Sequence, residues 1–180
     1  TGKLLDDHIE WAKFTDAAWF KDGFFYSAYD RPVEGKEFSN ANENHRIYYH
    51  KLGTPQSADK VAFEDKEHPL HFHTAQVPSN ERCLFVYVGG QGFGEGLLMK
   101  DLTKADAPWI TIEPSQNFSN GVVDVIGDEV YILTSADAQR NRLVKAPVSN
   151  PVRANWVTVV PEQDGVLTGV QRSGKDLILS

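Results

Sequence analysis

The chain has 180 residues, of which 41% are hydrophobic and 24% are charged, and its formal net charge is −7 at pH 7. This composition is ordinary for a globular protein with one good core, and the negative charge argues against a nucleic-acid or anionic-membrane surface. No apolar run approaches the roughly 18 residues of a membrane span. Cys83 is the only cysteine, so an internal disulfide is excluded. That fits a reducing compartment and leaves both cytoplasm and periplasm open.

Short apolar runs that follow a turn recur along the chain, and little of the sequence shows helical periodicity. The four runs are Phe24–Tyr29, Arg82–Val88, Glu129–Ser135 and Asp176–Ser180. Anchored on one residue of each run, the spacings are 60 residues (25 to 85), 46 (85 to 131) and 47 (131 to 178). A polar insert between Asp30 and His45 explains the longer first interval. A period near 45 residues with about four strands per unit is typical of propeller blades.

We therefore predict an all-β fold, a partial β-propeller with about three and a half four-stranded antiparallel blades. The predicted domain covers residues 1–180, with blades at about 12–65, 71–114 and 117–160 and a partial blade at 165–180. Trp109 and Trp156 fall on matching fourth strands, where packing between blades is expected and stacking on a sugar is the alternative. The chain ends inside an apolar run, so we expect it to be a piece of a longer protein.

One stretch carries a more specific signal. Ile47–Ser57 reads I-Y-Y-H-K-L-G-T-P-Q-S, a strand followed by a turn with Gly and Pro, and Asp59–Asp65 gives a second short strand. This hairpin closely resembles one in the propeller domain of the prolyl oligopeptidase family of serine peptidases. The likeness extends over nearly the whole chain, through Lys13-Phe14 before Ala18-Trp19, through Gly23–Tyr29, and through Leu143-Val144 before Trp156–Glu162.

The resemblance implies a fold and a parent activity. In that family a seven-bladed propeller caps an α/β-hydrolase domain, and the active site lies in the cavity between them. This chain would then be the middle blades of such a propeller, a substrate gate for an endopeptidase that cleaves short peptides after proline. Its partners would be short peptides and the hydrolase domain, with no cofactor. The uncovered faces of an incomplete propeller also predict that the isolated fragment self-associates.

No catalytic residue is predicted within the chain. A nucleophilic serine needs a strained strand-to-helix elbow, which in this family reads G-G-S-N-G-G. Ser119-Asn120-Gly121 keeps the S-N-G part, but Asn117 and Phe118 stand at the preceding glycine positions. The residues that follow are strand-like rather than helical, so Ser119 is interpreted as a loop residue before a strand.

Two further motifs are interpreted as structural. His68, His71 and His73 crowd together, and the last two would share one face of a strand, which zinc would accept. Because no cysteine or well-spaced acid completes the set, a surface or core role is favoured and no metal site is predicted. The glycine-rich run Gly89–Gly96 does not match G-x-G-x-x-G and is predicted to be a loop between the second and third strands of a blade.

The resemblance assigns two substrate-binding residues, Phe14 and Phe72, for each of which ordinary core packing is the alternative. A third family contact would fall near Gly92, which has no side chain to make it. Two other functions remain open: the propeller of a related oligopeptidase that cuts after basic residues, and a non-enzymatic β-propeller binding module. The wording Y-Y-H-K-L-G-T-P-Q-S favours the prolyl branch. Neither a Trp-Asp blade ending nor an Asp-box repeat supports the binding module.

Overall fold

A computed structural model describes residues 4–31 and 42–180 of the chain. These residues form β-strands joined by turns, with two short 3-10 turns at Gln56–Ala58 and Arg153–Asn155. The strands are β1 (Ala18–Phe20), β2 (Gly23–Ala28), β3 (Arg46–Lys51), β4 (Lys60–Phe63), β5 (Phe72–Gln76), β6 (Cys83–Gly89), β7 (Gly96–Asp101), β8 (Ile110–Glu113), β9 (Asn120–Ile126), β10 (Glu129–Thr134), β11 (Arg142–Pro147), β12 (Val157–Val160), β13 (Val170–Ser173) and β14 (Asp176–Leu179). The all-β prediction is confirmed.

The strands make three four-stranded sheets and one two-stranded sheet. The strand orders are β1-β2-β3-β4, β5-β6-β7-β8, β12-β11-β10-β9 and β13-β14, so each strand pairs with its neighbour in sequence. The paired strands run antiparallel from β1 to β4, from β6 to β8, from β9 to β12 and from β13 to β14. The chain divides into two compact units, Thr1–Gln76 and Val77–Ser180. Within the described ranges no helix is long and apolar enough to cross a membrane.

The third strand of each four-stranded sheet carries the same irregularity. Its pairing with the fourth strand shifts register just after Ile47, Leu97 and Leu143, and all three side chains are fully buried. A bulge at a fixed place re-aims the fourth strand in the same way each time. The internal repeat that the spacing predicted is therefore present in the hydrogen-bond pattern as well as in the apolar residues.

The hairpin turns also repeat. In the turns that join β1 to β2, β9 to β10 and β13 to β14, the first central residue has a positive φ: 51° at Lys21, 60° at Gly127 and 63° at Gly174. Two-residue hairpins need a positive φ there, which glycine adopts without strain. These turns come directly before three of the apolar runs identified in the sequence.

Each unit has its own apolar core. In the first unit the buried side chains include Phe25, Tyr26 and Ile47. In the second unit a larger cluster gathers buried side chains of β6 to β11, such as Phe85, Met99 and Ile132, and Trp156 packs against it. Trp156 thus has the packing role expected of it, although it lies one residue before β12 rather than on it.

Candidate functional site

Phe14 is held in the open rather than packed in a core. Its side chain is 64% exposed, and its backbone has a φ of 50°, a left-handed conformation that a large side chain rarely adopts. Its ring lies 6.4 Å from that of Phe72, centroid to centroid, with the planes tilted by 42°. The structure therefore brings together the two residues that the family resemblance singled out, within one unit.

The segment around Phe14 is fixed by both of its neighbours. The Lys13 carbonyl accepts a hydrogen bond from Nε2 of the buried His45, at 2.9 Å. The Thr15 hydroxyl accepts a hydrogen bond from the Ser27 amide in β2, at 2.7 Å. The exposed Phe14 thus lies between two neighbours that are hydrogen-bonded to the buried residues His45 and Ser27.

Phe72 begins β5 and lies between His71 and His73, which are both buried. Because side chains alternate along a strand, Phe72 points to the face opposite the two histidines. Phe72 is itself only partly buried. The aromatic pair, defined here as Phe14 and Phe72, thus has an accessible apolar surface. Its role in contacting peptide remains a prediction.

The three histidines predicted to crowd together do so around an acid. Asp65 follows β4, and its carboxylate contacts Nδ1 of His68 at 3.0 Å and Nδ1 of His71 at 3.3 Å. The rings of His68 and His71 stack with centroids 4.5 Å apart. Ligand atoms of Asp65, His71 and His73 all lie within 4.8 Å of one another. Sequence reasoning missed Asp65 because the five residues between it and His71 fold back in a way that the sequence pattern does not show.

His73 is buried, and among the described residues only one of its two ring nitrogens has a hydrogen-bond partner. Its backbone amide donates to Nδ1 of His45, and its own Nδ1 donates to the His45 carbonyl, both at 2.8 Å. Its Nε2 is buried and has no hydrogen-bond partner among the described residues. Burial lowers the pKa of His73 to about 4, so the ring is neutral at pH 7.

His50, from the hairpin that carries the resemblance, lies between two carboxylates. Its Nδ1 contacts Asp59 at 2.9 Å and its Nε2 contacts Asp7 at 3.0 Å, and its side chain is fully buried. Asp59 also accepts a hydrogen bond from Tyr26 at 2.8 Å, and Asp7 from the Gly53 amide. These contacts join the segment around Asp7 to β3 and its turn, so this histidine is structural.

The sequence motifs set aside as non-catalytic have structural places. Ser119 precedes β9 and is hydrogen-bonded to Ser135 twice. Its amide donates to the Ser135 hydroxyl at 2.9 Å, and its carbonyl accepts from the Ser135 amide at 3.1 Å. Cys83 is fully buried, and burial raises the pKa of its thiol to about 11, so the thiolate nucleophile is disfavoured. The glycine-rich run lies between β6 and β7, as predicted.

The architecture, with its repeated four-stranded antiparallel sheets, has a family counterpart. The model of the prolyl oligopeptidase N-terminal β-propeller domain matches residues 1–180. The chain belongs to this family. The prediction of a partial β-propeller from a prolyl oligopeptidase is confirmed.

The curated relatives include prolyl endopeptidases. The chain is 37% identical over 163 residues to the prolyl endopeptidase of Elizabethkingia meningoseptica, which covers 90% of this chain and 23% of that protein. It is 28% identical over 201 residues to the prolyl endopeptidase of Dictyostelium discoideum, covering 96% of this chain and 26% of the other. The chain therefore spans about a quarter of the length of these relatives.

Solved structures agree on the fold. A prolyl endopeptidase from a structural and mechanistic study of two such enzymes superposes with a TM-score of 0.85 at 29% identity, covering 99% of this chain and 25% of that one. Oligopeptidase B from Leishmania major superposes with a TM-score of 0.71 at 17% identity, covering 99% of this chain and 24% of that chain. The second match shows the shared fold alone.

Proposed function

We propose that the chain is the substrate-gating propeller part of a serine endopeptidase that cleaves short peptides after proline. In this proposal the chain contributes peptide contacts and a size filter, and the catalytic residues belong to a hydrolase domain elsewhere in the protein. The observation that carries the proposal is the aromatic pair, an exposed Phe14 beside Phe72 on a fixed frame.

The energetics of Phe14 support a binding role. A left-handed backbone conformation costs on the order of 1–2 kcal/mol for a residue with a Cβ atom, and the ring regains little of this by burial because it is 64% exposed. A peptide that covers the ring would gain roughly 25 cal/mol for each Å² of apolar surface removed from water. The strain and exposure of Phe14 are thus accounted for if the ring is buried only when substrate is bound.

Prolyl specificity is supported by the relatives rather than by the geometry. The two relatives described above carry the name prolyl endopeptidase, whereas the oligopeptidase B structure is only 17% identical. The hairpin at Ile47–Ser57 points to the same branch. We therefore favour cleavage after proline over cleavage after basic residues.

The test is a specificity profile of the full-length protein that contains this chain. Chromogenic peptides would be offered with Pro or Arg before the scissile bond, in otherwise identical sequences, together with a folded protein that carries an exposed proline. We expect cleavage after Pro in the short peptides and none in the folded protein. Cleavage after Arg would support the basic-residue peptidase, and no cleavage of either peptide would support a binding module; both outcomes contradict the proposal.

A further inference from the structure

The Asp65, His68, His71 and His73 side chains form a cluster that the peptidase function does not use. The cluster lies in the first unit, where the turn after β4 meets the start of β5. Its exposure is graded: the side chain of His68 is 48% exposed, that of Asp65 21% and that of His71 7%, and His73 is 1% exposed. The cluster therefore leads from solvent to a buried ring nitrogen.

His73 has the hydrogen-bond pattern of a metal ligand. Because its Nδ1 donates to the His45 carbonyl at 2.8 Å, its Nε2 is the unprotonated nitrogen with a free lone pair. Nε2 is also the buried atom that lacks a partner, and a buried polar atom without one is costly. Metal-bound histidines almost always donate the other ring N–H to a carbonyl or carboxylate, which fixes the ring. The unpartnered Nε2 thus favours a bound group that accepts its lone pair.

The donor set identifies the class of that partner. Two imidazoles and one carboxylate suit Zn²⁺, which binds three or four such ligands at about 2.0–2.2 Å. In a tetrahedral site this places the ligand atoms about 3.3 Å apart. Nδ1 of His71 and the Asp65 carboxylate are already 3.3 Å apart, and all three ligand atoms lie within 4.8 Å of one another. Small rotations of the three side chains would bring their ligand atoms to the spacing of a tetrahedral site.

We propose that Asp65, His71 and His73 bind one Zn²⁺ ion, with His68 as the nearest further donor. The ion would tie the turn that follows β4 to the start of β5 and would give His73 Nε2 its partner. This inference goes beyond the proposed peptidase function, because it concerns a structural site and needs no substrate.

The experiment is a Zn²⁺ titration of the 180-residue chain against a chelating dye, with metal content measured after dialysis. We expect one ion per chain and a higher unfolding temperature with Zn²⁺ than with a chelator. Asp65→Asn keeps an oxygen for the hydrogen bonds from the Glu67 and His68 amides but loses the charge, and it should weaken Zn²⁺ binding at least about tenfold. His71→Gln should weaken binding at least as much.

The matched control is His8→Gln, because the His8 side chain is 80% exposed and lies 3.8 Å from Glu10, outside the cluster. This variant should bind Zn²⁺ like the original chain. Circular dichroism without metal would verify that each variant is folded. If His71→Gln does not fold, Asp65→Asn alone is the variant that tests the proposal. The proposal is overturned if the original chain binds no stoichiometric Zn²⁺, or if Asp65→Asn binds it as tightly as the original chain and His8→Gln.

Discussion

Phe14 shows how a single residue can carry a functional hypothesis. The sequence motif K-F-x-x-x-A-W marked its position, but the motif does not show whether the ring is buried. The structure shows the ring exposed, in a strained backbone conformation and beside Phe72. The strain is maintained by hydrogen bonds to Lys13 and Thr15 on either side, and those partners lie too far away in sequence to be predicted from it.

In the full-length protein, Phe14→Ala should weaken binding of longer peptides more than it slows the chemical step. Losing one aromatic contact costs about 1 kcal/mol, which is roughly a fivefold rise in KM with kcat nearly unchanged. The measurement is steady-state kinetics with prolyl peptides of increasing length. Val61→Ala, which shortens a 48% exposed side chain of β4, is the control and should leave KM unchanged. A fall in kcat with no change in KM would contradict a binding role.

His50 is a titratable residue buried in this hairpin between the carboxylates of Asp59 and Asp7. Burial alone would lower the pKa of His50, but hydrogen bonds and charge interactions with Asp59 and Asp7 raise it above its ordinary value. The pKa of Asp7 is lowered, first by the hydrogen bond from the Gly53 amide and then by His50. A raised histidine pKa means that the folded state holds the proton more tightly than the unfolded chain does.

The stability that His50 provides should therefore be complete below its unfolded pKa of about 6.5 and lost as pH rises through the higher folded pKa. Asp7 acts in the opposite sense, and its contribution is lost as pH falls below about 4. Urea unfolding at pH 6 and pH 9 would show a decline in the free energy of unfolding for the original chain. His50→Gln should reduce that decline, whereas His8→Gln should retain it; equal declines in all three would exclude His50 as the source.

At the scale of elements, sequence periodicity predicted most of the sheets because apolar runs and turn residues act locally. The turns at Gly127 and Gly174 and the strands after them lie where the pattern indicated. The bulges after Ile47, Leu97 and Leu143 were not predicted, because a register shift depends on the partner strand. The cluster at Asp65 was missed for a similar reason: the turn between β4 and β5 brings the acid back to the histidines.

The loop between β6 and β7 shows why a glycine-rich run need not bind phosphate. The Gly94 amide donates to the Gln116 carbonyl at 2.8 Å, and the Glu95 amide donates to the Phe118 carbonyl at 2.9 Å. A Cβ atom at Gly94 would lie 1.9 Å from the Phe118 oxygen. The glycine therefore permits close approach of two backbone segments.

Gly94→Ala should lower the free energy of unfolding by about 1–3 kcal/mol, because the added methyl group collides with backbone atoms that cannot easily move. Gly165→Ala is the matched control, since a Cβ atom there has nothing within 4 Å, and it should change stability by less than about 0.5 kcal/mol. Denaturant titration of both variants compares them directly. Similar free energies of unfolding for the two variants would show that the loop does not pack against residues 116–118.

At the scale of the whole molecule, the second unit ends in strands with uncovered apolar side chains. Val157 and Val159 on β12 and Ile178 and Leu179 on β14 are 40–57% exposed. β13 and β14 form a sheet of only two strands, and such a pair has edges that can accept further strands. Arg172 links this hairpin to Asp124 of β9 through a 2.8 Å ion pair.

We expect the isolated chain to self-associate at micromolar concentration, through these apolar faces or by strand addition at β14. Analytical ultracentrifugation should detect a dimer or a small oligomer. Ile178→Lys places a charge on the 57% exposed position of β14 and should shift the chain toward monomer. Val61→Lys on β4 is the control. A cooperatively folded monomer for the original chain at all concentrations would refute this expectation.

In the proposed function, this chain shapes and binds substrate but performs no chemistry itself. The most direct measurement is to treat the isolated 180-residue chain, and in parallel the full-length protein, with a chromogenic prolyl substrate and with an active-site-directed phosphonate. We expect turnover and covalent labelling for the full-length protein and neither for the chain, because a nucleophile, a base and oxyanion donors must act together. Turnover by the isolated chain, or phosphonate attached to Ser119, would contradict it.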